Sequence, residues 1–288
     1  MANTLEKSQK YLDLFMELYK KDSLTADIDT KAVQFDMTDA NIVKILEMQT
    51  QGMGNYVRDT GYPTAAVNSV WRPYTLSQDR GIRFTLDRAD SEETLGMQIG
   101  NIADNFTRMY MKPELDSYRF SKYAVNPKAT EILNNNIMDA IDTAAVYLND
   151  KEVPDGERIL FVNQNLELAM RKALPRQWGN EGEINTQVLK YNGMEVRFVP
   201  SSRFNTQVTL NPGTSNSFGY TPGGIAINFI LLDPKAVWQV TRFANAKFVT
   251  ADENQNMDSH LFMFRIVHDC GILNNKTDGV YCSVTVED

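Results

Sequence analysis

Four carboxylates crowd into one short segment in the first third of the sequence, where they could bind a hard cation or act as an acid and a base. They are Asp87, Asp90, Glu92 and Glu93. A cation site needs oxygen ligands that converge from a fixed geometry, whereas Glu92 and Glu93 would point to different sides of a helix. Asp90 or Ser91 can instead cap a helix N-terminus, and Glu93 can complete a capping box. With Arg88 nearby to neutralise charge, the pattern predicts a helix start that does no chemistry.

A long helix is predicted to follow this start, over residues 91–121. Its apolar residues recur at intervals of three and four, as on one buried face; they are Leu95, Ile99, Ile102, Phe106 and Met109. Pro113 is expected to end or kink the helix, because proline lacks a backbone N–H and its ring clashes with the preceding turn. Leu115 and Tyr118 would carry the continuation.

The histidines and cysteines are the other residues that could do chemistry. They are His260, His268, Cys270 and Cys282. Zinc ligands usually come in close pairs such as C-x-x-C, which this sequence lacks. His268, Asp269 and Cys270 are consecutive, so on a strand they would point to alternate faces instead of converging. We therefore expect buried structural residues here; the alternative is a cytosolic α/β enzyme that uses His268 and Asp269.

Phosphate-binding and nucleophile motifs are absent. The glycine-rich segment PGTSNSFGYTPGG lacks the spacing of a phosphate-binding loop, and no G-x-S-x-G elbow occurs. The segment Trp71–Phe84 mixes basic and aromatic residues that could stack on nucleic acid, although Asp79 and the acidic residues after it favour an exposed ribbon that contacts protein. The sequence thus predicts no catalytic, cofactor-binding or metal-binding residue, and a structural or interaction protein instead of an enzyme.

The composition is that of a globular protein, with 288 residues of which 42% are hydrophobic and 23% charged. The net charge of −8 argues against a surface that binds duplex DNA. Two cysteines make no disulfide framework and indicate a reducing compartment. Charges near the N-terminus do not fit a signal peptide, and the apolar run Gly224–Leu232 is too short to cross a bilayer. We expect a soluble chain that is intracellular where it is made.

Hydrophobic periodicity and turn residues predict the remaining elements. Leu5–Lys21 is predicted to be an amphipathic helix, and Gln34–Thr85 an extended loop beside a strand pair at Tyr74–Phe84. The other predicted elements are a helix from Asn126-Pro127 to Leu148, a strand at Ile159–Val162, a helix at Leu166–Leu174, a hairpin at Val188–Val199 that turns at Asn192-Gly193, a loop at Arg203–Gly224, a strand at Ile225–Leu231, a helix at Asp233–Val240, and strands at Lys247–Thr250, Leu261–His268 and Val280–Val286.

Several segments carry a family resemblance. YTLSQDRG with FTLD looks like the end of an extended loop, and DSEETLGMQIGNIADNFTRMYMKPELDSYRF like a spine helix. RILFVNQNLELAMRKAL and GMEVRFVPSSRF look like parts of an axial domain, and INFILLDPKAV with FRIVHDCGILNNKTDGVY like a closing segment. In this order, and over nearly the whole chain, they resemble the major capsid protein of tailed double-stranded-DNA bacteriophages, which has the Hong Kong 97-type fold.

The resemblance implies an α+β fold with an N-terminal arm, an extended β-hairpin loop, a long spine helix, and peripheral and axial domains. The implied boundaries are 1–33 for the arm, 34–88 for the extended loop, 89–125 with 233–270 for the peripheral domain, and 126–232 with 271–288 for the axial domain. The protein would be part of the virion capsid, made and assembled in the bacterial host cytoplasm.

The resemblance also implies partners and assembly residues. The subunits would form pentamers and hexamers of an icosahedral shell around double-stranded DNA, without sequence-specific binding and without a membrane. A portal protein would join them, with a separate scaffolding protein because the arm begins close to Met1. Charged residues of the loop region would pair between subunits. The residues expected to matter for assembly or structure are Trp71, Asp79, Arg80, Arg83, Arg88, Asp90, Ser91, Glu93 and Pro113.

Other assemblies share parts of this pattern. Encapsulins have the same fold but enclose cargo enzymes, and the Asp-Arg-Gly and Pro-Glu-Leu-Asp segments favour the phage protein over them. A tail or adaptor protein of a virion would form rings or tubes without a closed shell. Some relatives are crosslinked between lysine and asparagine, but no lysine lies between Lys44 and Lys112, so we expect no crosslinks.

Overall fold

The computed structural model describes residues 23–28, 35–39, 42–59, 61–88, 105–129, 136–173, 177–178, 184–185, 190–214 and 217–286. Its strands are β1 (Phe35–Asp39), β2 (Ile42–Thr50), β3 (Val67–Thr75), β4 (Gln78–Asp87), β5 (Lys128–Ala129), β6 (Ile159–Asn163), β7 (Gln177–Trp178), β8 (Ile184–Asn185), β9 (Lys190–Tyr191), β10 (Met194–Val199), β11 (Asn205–Leu210), β12 (Tyr220–Leu232), β13 (Val237–Val249), β14 (Ser259–Ile272) and β15 (Val280–Val284). Its α-helices are α1 (Lys112–Tyr123), α2 (Ile137–Asp150) and α3 (Glu167–Ala173). A π-helical turn lies at Thr107–Met111, and 3₁₀ turns lie at Ala26–Ile28, Gln164–Leu166, Ser201–Arg203, Pro234–Ala236 and Asn274–Gly279.

The largest sheet has the strand order β5-β15-β12-β6-β10-β9, and β11 also pairs with β12. Strands β6 and β10 are parallel, whereas β12 is antiparallel to both β6 and β15. The central strands are continuous apolar runs, such as ILFVN in β6, which is typical of strands covered on both faces. Every residue of β6 and β15 is buried.

Helices cover both faces of this sheet. On one face α2 packs with residues of the spacing predicted for its buried side, which are Ile137, Ile141, Ala144 and Leu148. They share a core with Leu160 and Val162 of β6. Phe161, which points the other way, joins a second core. There the ring of Phe120 from α1 lies 5.0 Å from that of Phe161 and 5.0 Å from that of Phe204.

A second sheet has the order β13-β14-β4, with antiparallel neighbours. Phe84, Phe262 and Phe248 lie side by side across its three strands. The ring of Phe106, just before the π-helical turn, lies 5.4 Å from Phe84 and 5.9 Å from Phe264. The helical segment that ends as α1 therefore packs against both this sheet and the large one.

The third sheet, β1-β2-β3, builds the extended loop. Strands β2 and β3 have nine residues each and pair in antiparallel register from Ile42 opposite Thr75 to Thr50 opposite Val67. At the base of this hairpin, apolar side chains of the loop pack on the second sheet. They are Val43, Ile45 and Leu76 against Trp238, Val240, Val267 and Leu273.

The predicted strand pair at Tyr74–Phe84 is wrong, because its two halves belong to different sheets. Strand β3 pairs with β2, and β4 pairs with β14. Local aromatic and β-branched content does predict strands here, but the partner of β4 lies almost two hundred residues further along the chain. The corner between the strands, at Leu76–Ser77, is therefore the point where the chain passes from the loop into the second sheet.

Two further predictions are wrong for related reasons. The predicted loop Arg203–Gly224 contains β11 and the start of β12, and its turn residues occupy only the connection between them. The predicted helix Asp233–Val240 is a single 3₁₀ turn followed by β13. The Asp233 side chain does accept a hydrogen bond from the backbone N–H of Lys235 at 3.0 Å, as an N-cap would. The turn ends at Ala236, and from Val237 onward the chain pairs with β14 as a strand.

The predicted helix start at Asn126-Pro127 is also wrong. Asn126 has a φ of 50°, Lys128–Ala129 form β5, and α2 begins at Ile137. The hairpin turn at Asn192-Gly193 is confirmed, with φ values of 48° and 82° as a type I′ turn requires. The predicted strands at Ile159–Val162, Ile225–Leu231 and Leu261–His268 lie within β6, β12 and β14. Those at Lys247–Thr250 and Val280–Val286 overlap β13 and β15 but run one and two residues past their ends.

The long predicted helix is confirmed in its described part, residues 105–123. Its start, with Asp90, Ser91 and Glu93, lies outside the described residues, as does Leu5–Lys21. The helix does not end at Pro113, which is buried near the start of α1 directly after the π-helical turn. A π-helical turn shifts the hydrogen-bond pattern locally and so accommodates a residue that cannot donate its backbone N–H. The domain boundaries stay a prediction.

Candidate assembly surfaces

The extended loop, residues 42–75, presents a concentration of exposed apolar side chains. These are Met53, Tyr56, Val57, Tyr62, Val67, Val70 and Trp71. Tyr62 is 87% exposed and Met53 fully so, although burying such side chains is worth about 1.5–3 kcal/mol each. Isolated exposed apolar residues are ordinary, but a concentration of them on one hairpin is a candidate surface for binding another protein.

The tip of this loop, described at residues 51–59 and 61–66, makes contacts of its own. Val57 and Gly61 exchange backbone hydrogen bonds with N–O distances of 3.3 and 2.7 Å. Gly61 has a φ of 80°, which glycine adopts without strain. The rings of Tyr56 and Tyr62 meet edge to face at 5.0 Å. Because the tip is ordered by its own contacts, it would lose less conformational entropy on binding than a flexible segment would.

The root of the extended loop is fixed by a buried carboxylate. Asp269 on β14 accepts hydrogen bonds from the backbone N–H and the hydroxyl of Ser77, at 2.9 and 2.8 Å. It also accepts one from the hydroxyl of Tyr118 on α1, at 2.9 Å, and one from the backbone N–H of Cys270, at 2.8 Å. Burial raises the pKa of Tyr118, so this hydroxyl stays a donor. The chain therefore leaves the loop from a fixed point.

Residues 23–28 are the first described residues of the predicted N-terminal arm and are called the arm root below. They are fixed by a second buried carboxylate. Asp116 on α1 is 0% exposed. It accepts hydrogen bonds from the Ser23 hydroxyl at 2.8 Å, the Leu24 backbone N–H at 3.1 Å and the Thr25 hydroxyl at 2.8 Å. The guanidinium of Arg203 pairs with it at 3.2 Å and is itself buried. A buried charge needs such partners, because an unpaired one is strongly destabilising.

Further polar contacts hold the arm root from other directions. Arg119 donates to the Thr25 hydroxyl at 2.9 Å, and the amide of Gln239 donates to the Thr25 carbonyl at 2.8 Å. Arg197 donates to the Leu24 carbonyl at 2.7 Å and forms an ion pair with Asp27 at 2.5 Å. The hydrogen bond and charge of Asp27 raise the pKa of Arg197.

Arg80, one of the predicted assembly residues, connects three elements within the chain. Its Nε donates to Glu114 of α1 at 2.7 Å. Its two terminal nitrogens donate to the carbonyls of Asn211 and Gly219, at 2.7 and 3.2 Å, at the two ends of the turn between β11 and β12. A guanidinium offers five donors in a rigid fork, which suits this kind of junction.

Two of the other predicted charged residues, Asp79 and Arg88, also have ion-pair partners within the chain. Asp79 pairs with Arg265 at 2.5 Å, and this hydrogen bond lowers the pKa of the carboxyl. Arg88 lies 3.0 Å from Asp252 and 3.6 Å from Asp258. Arg83 is exposed and forms no ion pair within the described ranges. The predicted pairing between subunits stays a prediction, and it would have to share these partners.

Trp71, another predicted assembly residue, is half-exposed on β3. It lies directly opposite Leu46 of β2 in the hairpin register. It thus belongs to the exposed apolar group of the extended loop.

His268 and Asp269 are adjacent in sequence but serve the fold at the loop root. The His268 ring meets the Tyr118 ring edge to face at 5.4 Å, and burial lowers its pKa to about 4. Cys270 and Cys282 are buried free thiols, and burial raises the pKa of Cys282 to about 12. The Nδ1 of His260 accepts from the Ala251 backbone at 3.2 Å. Within the described residues no group of acidic, histidine and cysteine side chains could hold a metal ion.

Sequence reasoning missed both carboxylate anchors. Asp116 lies between Leu115 and Tyr118 on the predicted buried side of the helix, and a charged residue at such a position needs a partner. The position of Asp116 therefore indicates that it has a partner, but the sequence does not indicate which residues are the partners.

None of the described helices is long and apolar enough to cross a membrane.

Comparisons with known proteins bear on the fold. No family model matches the sequence, and no curated protein matches it. Among solved structures, the capsid of the cyanophage P-SCSP1u is similar at a TM-score of 0.66 and 12% identity, covering 98% of this chain and 93% of that one. A structure from Mycobacterium phage Che8 is similar at a TM-score of 0.63 and 14% identity, covering 98% of both chains. The mature capsid of bacteriophage PhiM1 gives a TM-score of 0.62 at 14% identity, covering 99% and 93%. This chain has the α+β fold of phage capsid proteins.

Proposed function

We propose that this chain is the major capsid protein of a tailed bacteriophage and assembles into pentamers and hexamers of an icosahedral head around double-stranded DNA. The observation that carries the proposal is an extended loop with an exposed apolar tip on a capsid-type fold. The described residues of the same subunit do not cover this apolar group.

The loop is long enough to contact a second subunit. Nine paired residues in each strand give the hairpin a length of about 30 Å, measured from its base. We expect the exposed apolar side chains of the loop to contact a different surface on the next copy, and not the same side chains. Such a contact is heterologous. Heterologous contacts close into rings when the rotation between subunits allows it. Rings of five and six copies are the closed units from which an icosahedral shell is built.

The role we propose is structural and not catalytic. The pair that offered the enzymatic alternative, His268 and Asp269, is committed to the loop root through Tyr118 and Ser77. The net charge of −8 suits a container for DNA, because a negative wall does not adhere to the packaged duplex. We also propose a separate scaffolding protein and a portal protein as partners, with assembly in the host cytoplasm.

Light scattering after size-exclusion chromatography, followed by negative-stain microscopy, tests the proposal. The wild-type chain, alone or with candidate scaffolding proteins, is expected to form pentamers, hexamers or closed polyhedral particles. A chain that stays monomeric or dimeric under all these conditions contradicts the proposed function.

A pair of variants tests the role of the loop separately. Tyr62→Ser with Met53→Ser removes the two most exposed apolar side chains of the tip and should leave folded subunits that do not assemble. Leu168→Ser is the matched control, because Leu168 on α3 is also an exposed apolar residue, at 61%. Assembly of the control but not of the tip variant is expected. Normal assembly of the tip variant would exclude the tip as an assembly contact while leaving the capsid proposal standing.

A further inference from the structure

The roots of the two extensions, the arm and the extended loop, meet on one helix. Asp116 on α1 binds the arm root, and Tyr118, two residues later, binds the carboxylate that holds the loop root. We propose that Asp116, Tyr118 and Asp269 are positioning residues that couple the position of the arm root to the position of the loop root. The role of this coupling in assembly rests on the proposed function. The exchange experiment that tests the coupling itself uses the unassembled chain and does not depend on that function.

The arm side of this connection is rigid. Ser23, Leu24 and Thr25 all bond to the single carboxylate of Asp116, which has no exposed surface. Arg119, one turn away on the same helix, binds the Thr25 hydroxyl as well. The arm root therefore follows any displacement of α1, because leaving these buried polar groups unpaired would be costly.

The loop side is equally specific. Asp269 is 8% exposed and receives two hydrogen bonds from Ser77, the residue that joins β3 to β4. The Tyr118 hydroxyl is the donor from α1 to this carboxylate, at 2.9 Å. Hydrogen bonds weaken steeply when they lengthen beyond about 3.5 Å, so a shift of the helix by about 1 Å would strain the loop root. Helix α1 is therefore connected by hydrogen bonds to both the arm root and the loop root.

A polar network that only stabilises the fold makes a different prediction from one that couples two sites. Coupling is reciprocal, so a change at the loop root must affect the arm root and the reverse must also hold. Ser77→Ala removes one hydroxyl at the loop root, and Thr25→Val removes one hydroxyl at the arm root. Neither residue contacts the other root through the hydrogen bonds described above.

Hydrogen–deuterium exchange of backbone amides in the full-length, unassembled chain measures both roots at once. Ser77→Ala should raise exchange about fivefold, the factor of one hydrogen bond, at residues 74–78 and also, to a smaller extent, at residues 24–28. Thr25→Val should do the reverse. In a Tyr118→Phe background, which keeps the ring and removes the hydroxyl, the remote effect of each variant should disappear.

The control lies in the core beneath α2, which does not include Asp116, Tyr118 or Asp269. Ile141→Val perturbs the core on the other face of the large sheet and should not raise exchange selectively at either root. Remote effects that vanish in the Tyr118→Phe background support the coupling. Effects confined to the mutated root, or remote effects that persist without the hydroxyl, overturn it. If one root variant does not fold, its counterpart gives the same test, because coupling is reciprocal.

The effect of the coupling on assembly is measured separately, from the diameters of assembled particles. Among assembled particles, Tyr118→Phe is expected to broaden the distribution of diameters measured by electron microscopy, while Ile141→Val retains the wild-type distribution. A wild-type distribution for Tyr118→Phe overturns the positioning role. Since exchange is read on the unassembled chain, failure of the coupling and failure of the proposed function remain distinguishable.

Discussion

Acidification should destabilise the folded chain through one residue, His268, which is 2% exposed. Burial first, and then the positive charge of Arg119, lower the pKa of this imidazole to about 4. In an unfolded chain the pKa of histidine is about 6.5. The Nδ1 atom of the ring has no hydrogen-bond partner within the described residues. A proton on the folded ring would therefore add an unpaired donor and a charge to a buried site.

The sign of the effect follows from which state binds the proton. Above pH 6.5 the ring is neutral in both states, so His268 contributes no pH dependence. As the pH falls from about 6.5 to about 4, the unfolded chain becomes protonated and the folded chain does not, so unfolding becomes more favourable. Linkage between these two pKa values gives a loss of about 2 kcal/mol at pH 5 and about 3 kcal/mol at the lower limit.

Urea unfolding of the wild type and of His268→Gln at about pH 7 and about pH 5 measures this contribution. Other groups also titrate in this range, so the informative quantity is the difference between the two proteins. Between the two pH values the wild type should lose about 2 kcal/mol more unfolding free energy than His268→Gln. Ile141→Val, in the core beneath α2, is the control and should keep the wild-type pH dependence. Equal losses in the wild type and His268→Gln would refute the reasoning.

Three further predictions concern packing and reactivity. Gly279→Ala should destabilise the chain by about 1–3 kcal/mol in urea unfolding, because the added Cβ would overlap the Cβ of Ala236; Gly156→Ala, with open space around it, should be close to neutral. Phe120→Ala should lower the free energy of unfolding by about 3–5 kcal/mol, since it empties a position between two aromatic rings, and a loss below about 1 kcal/mol would contradict the core described here. Both thiols should resist a disulfide reagent at about pH 8 in the native chain and react fully in urea; rapid reaction of either native thiol would contradict its burial.

Local signals account for the parts of the fold that the sequence predicts well. The turn at Asn192-Gly193 and the buried side of α2 depend on a few neighbouring residues, and both are confirmed. Asp233 carries a genuine capping signal, but that signal is the same for a 3₁₀ turn and for a long helix. Only pairing with β14, a strand that begins more than twenty residues later, decides between them.

The buried carboxylates of the candidate site also depend on contacts between residues that are distant in sequence. A buried aspartate at position 116 is foreseeable from its place on an apolar helix side. Its partners Ser23 and Thr25 lie 93 and 91 residues away in sequence, and a single sequence gives no indication of contacts at that separation. The fold class could be predicted because several segments, in their order along the chain, resemble a known family. The partners of Asp116 and Asp269 could be identified only from the three-dimensional structure.

The position of β15 has a consequence for synthesis. This strand lies between β5 and β12, and β5 pairs with no other described strand. The large sheet therefore cannot be completed until residues 280–284 have left the ribosome, after β13 and β14 have been made. A chain whose translation stops before this point would lack an interior strand and leave backbone N–H and C=O groups of Ile227–Leu232 in β12 without their partners. Unpaired strand edges of this kind pair readily with other chains, so such incomplete chains would be prone to aggregate.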